Sequence, residues 1–96
     1  MEKSENEVFS LGKIFPLGSL PIGTSGSIVS ISGEGKLKRR LFDMGLTPGA
    51  SLFLRKKAPL GDPLEITIRG YELTLRHQEA DYVSVKINAL SDKGNK

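Results

Sequence analysis

The strongest constraint in this sequence is a run of alternating apolar and polar residues, LEITIRGYELTLR, at positions 64–76. Leu64, Ile66 and Ile68 fall on one side of an extended chain, with polar residues between them. This period of two is typical of a strand that has one face buried and the other in water. The alternation breaks at Gly70 and then resumes. The run therefore predicts a β-hairpin.

A two-residue turn at Gly70-Tyr71 fits this break, because glycine readily adopts the positive φ that a type II′ turn requires at its first position. A one-residue slip would reverse the faces of the strand, so we expect a single register. The predicted pairs are Arg69 with Glu72, Thr67 with Thr74 and Glu65 with Arg76 on the polar face, and Ile68 with Leu73 and Ile66 with Leu75 on the apolar face.

Length and composition predict one small domain. The 96 residues, 38% of them hydrophobic, suffice for a single core. The chain has no cysteine, which excludes disulfides and thiolate metal sites. No apolar run approaches the ~18 residues of a transmembrane helix, and the start MEKSENE lacks the features of a secretory signal. We expect a cytoplasmic protein without membrane insertion.

A change of period predicts one helix at residues 36–44, where apolar residues recur at i, i+4 and i+7. The helix has a clear stop signal. Gly45 can take the left-handed conformation, Leu46 can then fold back onto the helix in a Schellman motif, and Pro48 prevents continuation. The prediction is a short helix of two to three turns.

The other segments indicate short strands separated by turns. A turn and an entering strand occupy residues 15–26, anchored by Leu17, Leu20 and Ile22, and further strands are expected at 27–32, 50–57 and 82–87. Residues 58–63, with two prolines and a glycine, form a loop. We expect flexible tails at 1–13 and 88–96 around a domain at 14–87. The fold class is mainly β, a small barrel of about five strands with one short helix.

The segments LFDMGLTPG, APLGDPLEI, IRGYELTLR and EADYVSV, in this order and spacing, resemble the FeoA family. The likeness extends more weakly back to about Leu17. It implies an SH3-like barrel with the helix inserted between early strands. It also implies a non-catalytic accessory role beside FeoB, a membrane protein that carries Fe(II) and has a cytosolic GTP-binding G domain. The chain would then lie in the cytoplasm, at the inner face of the membrane through this partner.

A basic cluster is the sharpest functional signal. Lys36, Lys38, Arg39 and Arg40 lie in the first turns of the predicted helix, where the macrodipole disfavours cations by ~0.3–1 kcal/mol each. A helix selected for stability alone would carry acids there. The cluster indicates either a docking face or a solvated face whose long side chains cover the barrel. A docking face would bind an acidic partner surface, or the phosphates of a nucleotide bound to that partner. Basic residues at 55–57 would enlarge the patch if they lie nearby.

Loop residues complete the predicted contact surface. Leu60 and Asp62 lie in the APLGDP loop, and Leu46 and Pro48 follow the helix. Clustered apolar residues of this kind could bind an extended peptide, although exposed apolar residues occurring singly are common. We therefore assign partner binding to Lys36, Lys38, Arg39, Arg40, Leu46, Pro48, Leu60 and Asp62.

Catalytic and metal sites are not expected. His77, Glu79 and Asp81 could in principle bind Fe(II), but a single histidine beside two carboxylates in a turn is a weak pattern. GEGK at 33–36 lacks the spacing of a phosphate-binding loop. We assign no catalytic residue, metal ligand or cofactor.

Two alternatives remain open at the level of sequence. A small basic barrel could bind RNA or DNA, although four Phe and two Tyr offer little for a stacking platform. An arginine finger from Arg39 or Arg40 could instead raise the GTP hydrolysis of the partner.

Overall fold

The computed structural model describes residues 9–90, which form one antiparallel sheet and two short helices. The strands are β1 (Ile14–Pro16), β2 (Ser25–Ile31), β3 (Ser51–Lys57), β4 (Leu64–Ile68), β5 (Tyr71–Leu75) and β6 (Val83–Ala89). The helices are α1 (Gly35–Asp43), between β2 and β3, and α2 (His77–Ala80), between β5 and β6. Single 3₁₀ turns lie at Leu17–Ser19 and Pro59–Gly61.

The sheet order is β1-β6-β2-β3-β4-β5. Irregularities in the ladders of β2 with β6 and of β3 with β4 bend the strands, which helps a single sheet to curl around its own core. The predicted mainly β class and the helix between early strands are confirmed. The described residues contain six strands rather than about five, because the three-residue strand β1 overlaps the start of the segment that was predicted to begin with a turn.

The core is formed by the inward residues of the predicted strands. Leu64, Ile66 and Ile68 of β4 are buried, as expected, and alternate residues of β3 and β6 meet them. The predicted anchors Leu17 and Leu20 are also buried. The third, Ile22, is 51% exposed, because it lies in the turn before β2 and points to solvent. The assignment of Ile22 as an anchor was wrong.

The hairpin forms, but the predicted register is wrong by two residues. The turn is Arg69-Gly70, and both residues have positive φ, as a type I′ turn requires. Consequently Thr67 pairs with Glu72. The remaining pairs are Glu65 with Thr74, Ile66 with Leu73, Leu64 with Leu75 and Ile68 with Tyr71. A shift of two preserves the faces, which is why the burial pattern was predicted and the partners were not.

Contacts with the segment after α1 accompany the observed turn. The guanidinium of Arg69 donates to the carbonyl of Gly45 at 3.2 Å and to Oγ1 of Thr47 at 2.7 Å. The hydroxyl of Tyr71 donates to the carbonyl of Met44. These hydrogen bonds attach the hairpin tip to the end of the helix.

The end of α1 matches the prediction. The N–H of Leu46 donates to the carbonyl of Leu41 at 3.0 Å, and that of Gly45 donates to Phe42 at 2.9 Å, with Gly45 at φ 98°. These two bonds define a Schellman motif. Leu41 and Leu46 are both buried, so the motif also directs Leu46 into the core.

The ends of the domain differ from the predicted tails. Strand β6 continues to Ala89, so Asn88 and Ala89 are strand residues rather than tail. At the other end, the ring of Phe9 lies 4.8 Å from that of Phe15 and packs against the core. The other residues of the predicted tails, 1–8 and 91–96, lie outside the described part of the chain.

Candidate partner-binding surface

The four cations of the basic cluster point to different sides of helix α1. Its buried side carries Leu37 and Leu41. At about 100° per residue, Arg39 lies opposite the midpoint of these two residues and points away from the core. Lys38 lies on one flank of Arg39, while Lys36 and Arg40 lie on the other. The four cations therefore do not form one continuous face.

Arg40 is held by an acid of α2. Its guanidinium lies 2.6 Å from Oε2 of Glu79, a carboxylate that is only 10% exposed. The other oxygen of Glu79 accepts the backbone N–H of Arg76 at 3.0 Å and so caps α2. Arg40 therefore joins the two helices, and its charge is already compensated.

Lys38 and Arg39 border a shallow groove on the outer side of α1. Gly35 and Phe42 complete its lining, and its volume is about 360 Å³. Phe42 is 38% exposed. Within residues 9–90, Lys36, Lys38 and Arg39 take part in no ion pair. The exposed cations of α1 thus lie beside an aromatic side chain that the sequence analysis did not select. A helical wheel could have found it, because Phe42 is three residues after Arg39 and lies off the apolar face.

The loop residues are separated by the fold. Leu46 is completely buried because of the Schellman motif, so its assignment to the contact surface was wrong. Pro48 is exposed, and Leu60 is fully exposed at the tip of its loop. The carboxylate of Asp62 accepts the backbone N–H of His77 at 2.9 Å.

Arg40 and Asp62, two residues predicted for partner binding, do come together. They line a cleft of about 420 Å³ between α1, the 58–63 loop and the end of β5. The full lining is Arg40, Asp62, Pro63, Thr74, Leu75, Arg76 and Glu79. Two acids and two bases line this cleft, so its charge is mixed rather than basic.

The cations of β3 do not extend the basic patch as separate charges. Arg55 lies 2.9 Å from Glu72 and 3.5 Å from Glu65, the two acids that the sequence had paired with Arg69 and Arg76. Lys56 lies 3.9 Å from Glu65. Lys57 is half-buried, and its ammonium is 3.5 Å from the carbonyl of Gly18. Desolvation lowers the pKa of Lys57 below its ordinary value.

Comparison with known proteins agrees with this architecture. The model of the FeoA domain family matches residues 15–87. The chain belongs to the FeoA family. A FeoA-like protein from Clostridium acetobutylicum, solved by NMR, is 33% identical, with a TM-score of 0.75 over 82% of this chain and 92% of that one. The FeoA of Stenotrophomonas maltophilia, a procaryotic SH3 domain protein crystallised with zinc, is 30% identical, with a TM-score of 0.64 over 73% of this chain and 87% of that one. The predicted SH3-like fold is confirmed.

A curated relative joins two proteins in one chain. It is the Fe(2+) transport protein A/Fe(2+) transporter FeoB fusion protein of Porphyromonas gingivalis, 31% identical over 71 residues, which are 74% of this chain. This FeoA domain spans only 8% of the length of that relative.

The weak metal pattern of this FeoA domain is dispersed. Nε2 of His77 lies 3.1 Å from the carbonyl of Gly18 and 3.8 Å from Asp81, while Glu79 faces Arg40. In the described range 9–90, no three His, Cys, Asp or Glu side chains converge as a metal site would require. In the same range, neither helix is long and apolar enough to cross a bilayer.

Proposed function

We propose that this FeoA domain is a non-catalytic accessory protein of ferrous iron transport. It binds the cytosolic part of a FeoB-type transporter and modulates transport or the GTP cycle of its G domain. On this proposal it works in the cytoplasm, at the inner face of the membrane when bound. It needs no cofactor of its own.

The observation that carries the proposal is the fusion in Porphyromonas gingivalis, where a related FeoA segment and FeoB share one chain. Joining two domains makes their encounter intramolecular and raises the effective concentration of each for the other. Such a fusion is useful when the two parts act together. On this proposal the two parts associate through a surface contact.

The contact we favour is the outer side of α1. Lys36, Lys38 and Arg39 are exposed there, without an acid in the first turn of the helix to offset them. Uncompensated cations at the start of a helix lower its stability. Acidic side chains of a partner would offset this cost when they pair with the cations, which favours binding. Pro48, Leu60 and Asp62 remain predicted contacts, and Arg40 contributes through its position between the helices.

The test is calorimetric titration of the protein into the purified cytosolic region of its FeoB partner, with a GTP analogue, with GDP and without nucleotide. The variant Lys38→Ala/Arg39→Ala probes the helix, and Lys86→Ala, an exposed change on β6, is the control. We expect saturable binding that the double variant weakens by about tenfold or more, since a charge-assisted hydrogen bond contributes about 1.5–3 kcal/mol.

Absence of binding in all three nucleotide states, with both proteins folded, would contradict the proposed partner. Equal binding by the double variant would leave the partner in place and remove α1 from the contact. Hydrolysis of GTP measured on the same samples separates an adaptor from a GTPase activator, because only the activator raises the rate.

A further inference from the structure

The groove on α1 combines three features of a peptide-binding site. Gly35 contributes no side chain, and a Cβ built there would meet nothing within 4 Å, so this end of the groove is open. Lys38 and Arg39 supply positive charge, and Phe42 supplies an exposed aromatic surface one turn further along. Residues 35, 38, 39 and 42 are three or four apart, so they form one continuous stripe.

The charge of the groove is local. Across residues 9–90, Lys38 and Arg39 form no ion pair. Exposed acids stand at both ends of the helix, Glu34 before it and Asp43 in its last position. The stretch from Gly35 to Phe42 is only about 10 Å long at 1.5 Å per residue. A long polyanion or an anionic bilayer would extend beyond this stretch and meet the two acids.

We propose that the groove binds a short acidic peptide segment that carries an apolar side chain. The apolar side chain packs on Phe42, and carboxylates of the segment accept charge-assisted hydrogen bonds from Lys38 and Arg39. The inference deepens the proposed function, since the segment would belong to the cytosolic part of the transporter. Arg40 is not a contact, because Glu79 already binds it.

The test uses a defined probe and does not depend on the transporter. The probe is the blocked synthetic peptide Glu-Glu-Leu-Glu, titrated into the isotope-labelled protein and followed by amide chemical shifts. We expect the largest shifts along residues 35–42. The matched peptides Gln-Gln-Leu-Gln, without charge, and Glu-Glu-Ser-Glu, without the apolar side chain, should each bind about tenfold or more weakly.

Protein variants locate the site. Phe42→Ser removes the aromatic surface, and Lys38→Ala/Arg39→Ala removes the charges; each should weaken the probe about tenfold or more. Lys86→Ala, which removes a charge elsewhere, and Ile22→Ser, which removes an exposed apolar side chain elsewhere, should leave binding unchanged. Amide spectra of each variant establish that it is folded.

Shifts concentrated elsewhere, no shifts along α1, or equal binding of the three peptides would overturn the groove assignment. Undiminished binding by folded Phe42→Ser would do the same. These results are distinct from failure of the proposed function. A FeoB region that binds wild type and Phe42→Ser equally refutes the groove alone, whereas a groove that binds the probe while the FeoB region does not bind refutes the proposed partner.

Discussion

Replacement of two leucines by alanine, Leu46→Ala and Leu60→Ala, tests the division between core and surface. Both residues occur in polar, proline-containing segments and were predicted as partner contacts. Leu46 is completely buried and Leu60 is fully exposed. The same chemical change therefore deletes core packing at one site and solvent-exposed methyl groups at the other.

The expected magnitudes differ widely. Removal of a buried leucine side chain costs about 2–5 kcal/mol in lost burial and residual cavity. For a domain of this size the total stability is about 5–14 kcal/mol, so Leu46→Ala removes a large part of it. At about 4–8 °C per kcal/mol, the midpoint of thermal unfolding should fall by about 8–40 °C. Leu60→Ala should change the free energy of unfolding by less than about 0.5 kcal/mol.

Urea and thermal unfolding followed by far-ultraviolet circular dichroism measure both variants. Similar midpoints for Leu46→Ala and wild type would refute the core assignment and return Leu46 to the candidate contacts. Strong destabilisation by Leu60→Ala would show that this side chain packs against the rest of the domain and is not exposed. In a binding assay at a temperature where both are folded, a selective loss with Leu60→Ala would support its predicted role in partner contact.

Three further predictions concern stability. A double-mutant cycle of Arg40→Met and Glu79→Gln should give a coupling free energy of about 1 kcal/mol, a value between those of exposed and of buried ion pairs. Additive effects of the two changes would contradict the observed ion pair. Gly26→Ala should cost about 1–3 kcal/mol, because the new Cβ would lie 2.6 Å from the carbonyl of Lys86; wild-type stability in urea would show that the strands do not approach so closely. Desolvation lowers the pKa of Lys57 in the folded protein below 10.5, so the unfolded chain binds this proton more tightly and stability should rise with pH between the lowered folded pKa and 10.5. Urea titrations across that range should show a smaller rise for Lys57→Met, and an unchanged pH slope would refute this contribution.

Local sequence signals predict only part of the candidate contact surface. The cations of α1 are visible in the sequence, and so is their conflict with the helix dipole. Which of them remain available is not visible. Arg40 is compensated by Glu79, and Arg55 by two acids of the hairpin, since side chains distant in sequence meet in the folded sheet. Phe42 was not selected, because the sequence analysis considered the cations of α1 and its apolar face, and Phe42 lies off that face.

Two short-range features follow from the sequence alone: which residues of the hairpin face inward, and where α1 ends. Both depend on periods and stop signals that act over a few residues, as the Schellman bonds of Gly45 and Leu46 illustrate. The register of the hairpin depends on tertiary contacts, because registers that differ by two residues bury the same faces. Contacts of Arg69 and Tyr71 with the end of α1 accompany the observed register. The tertiary structure also decided that Leu46 is core while Leu60 is surface. Exposure depends on what the rest of the chain places over a residue, and no local pattern contains that information.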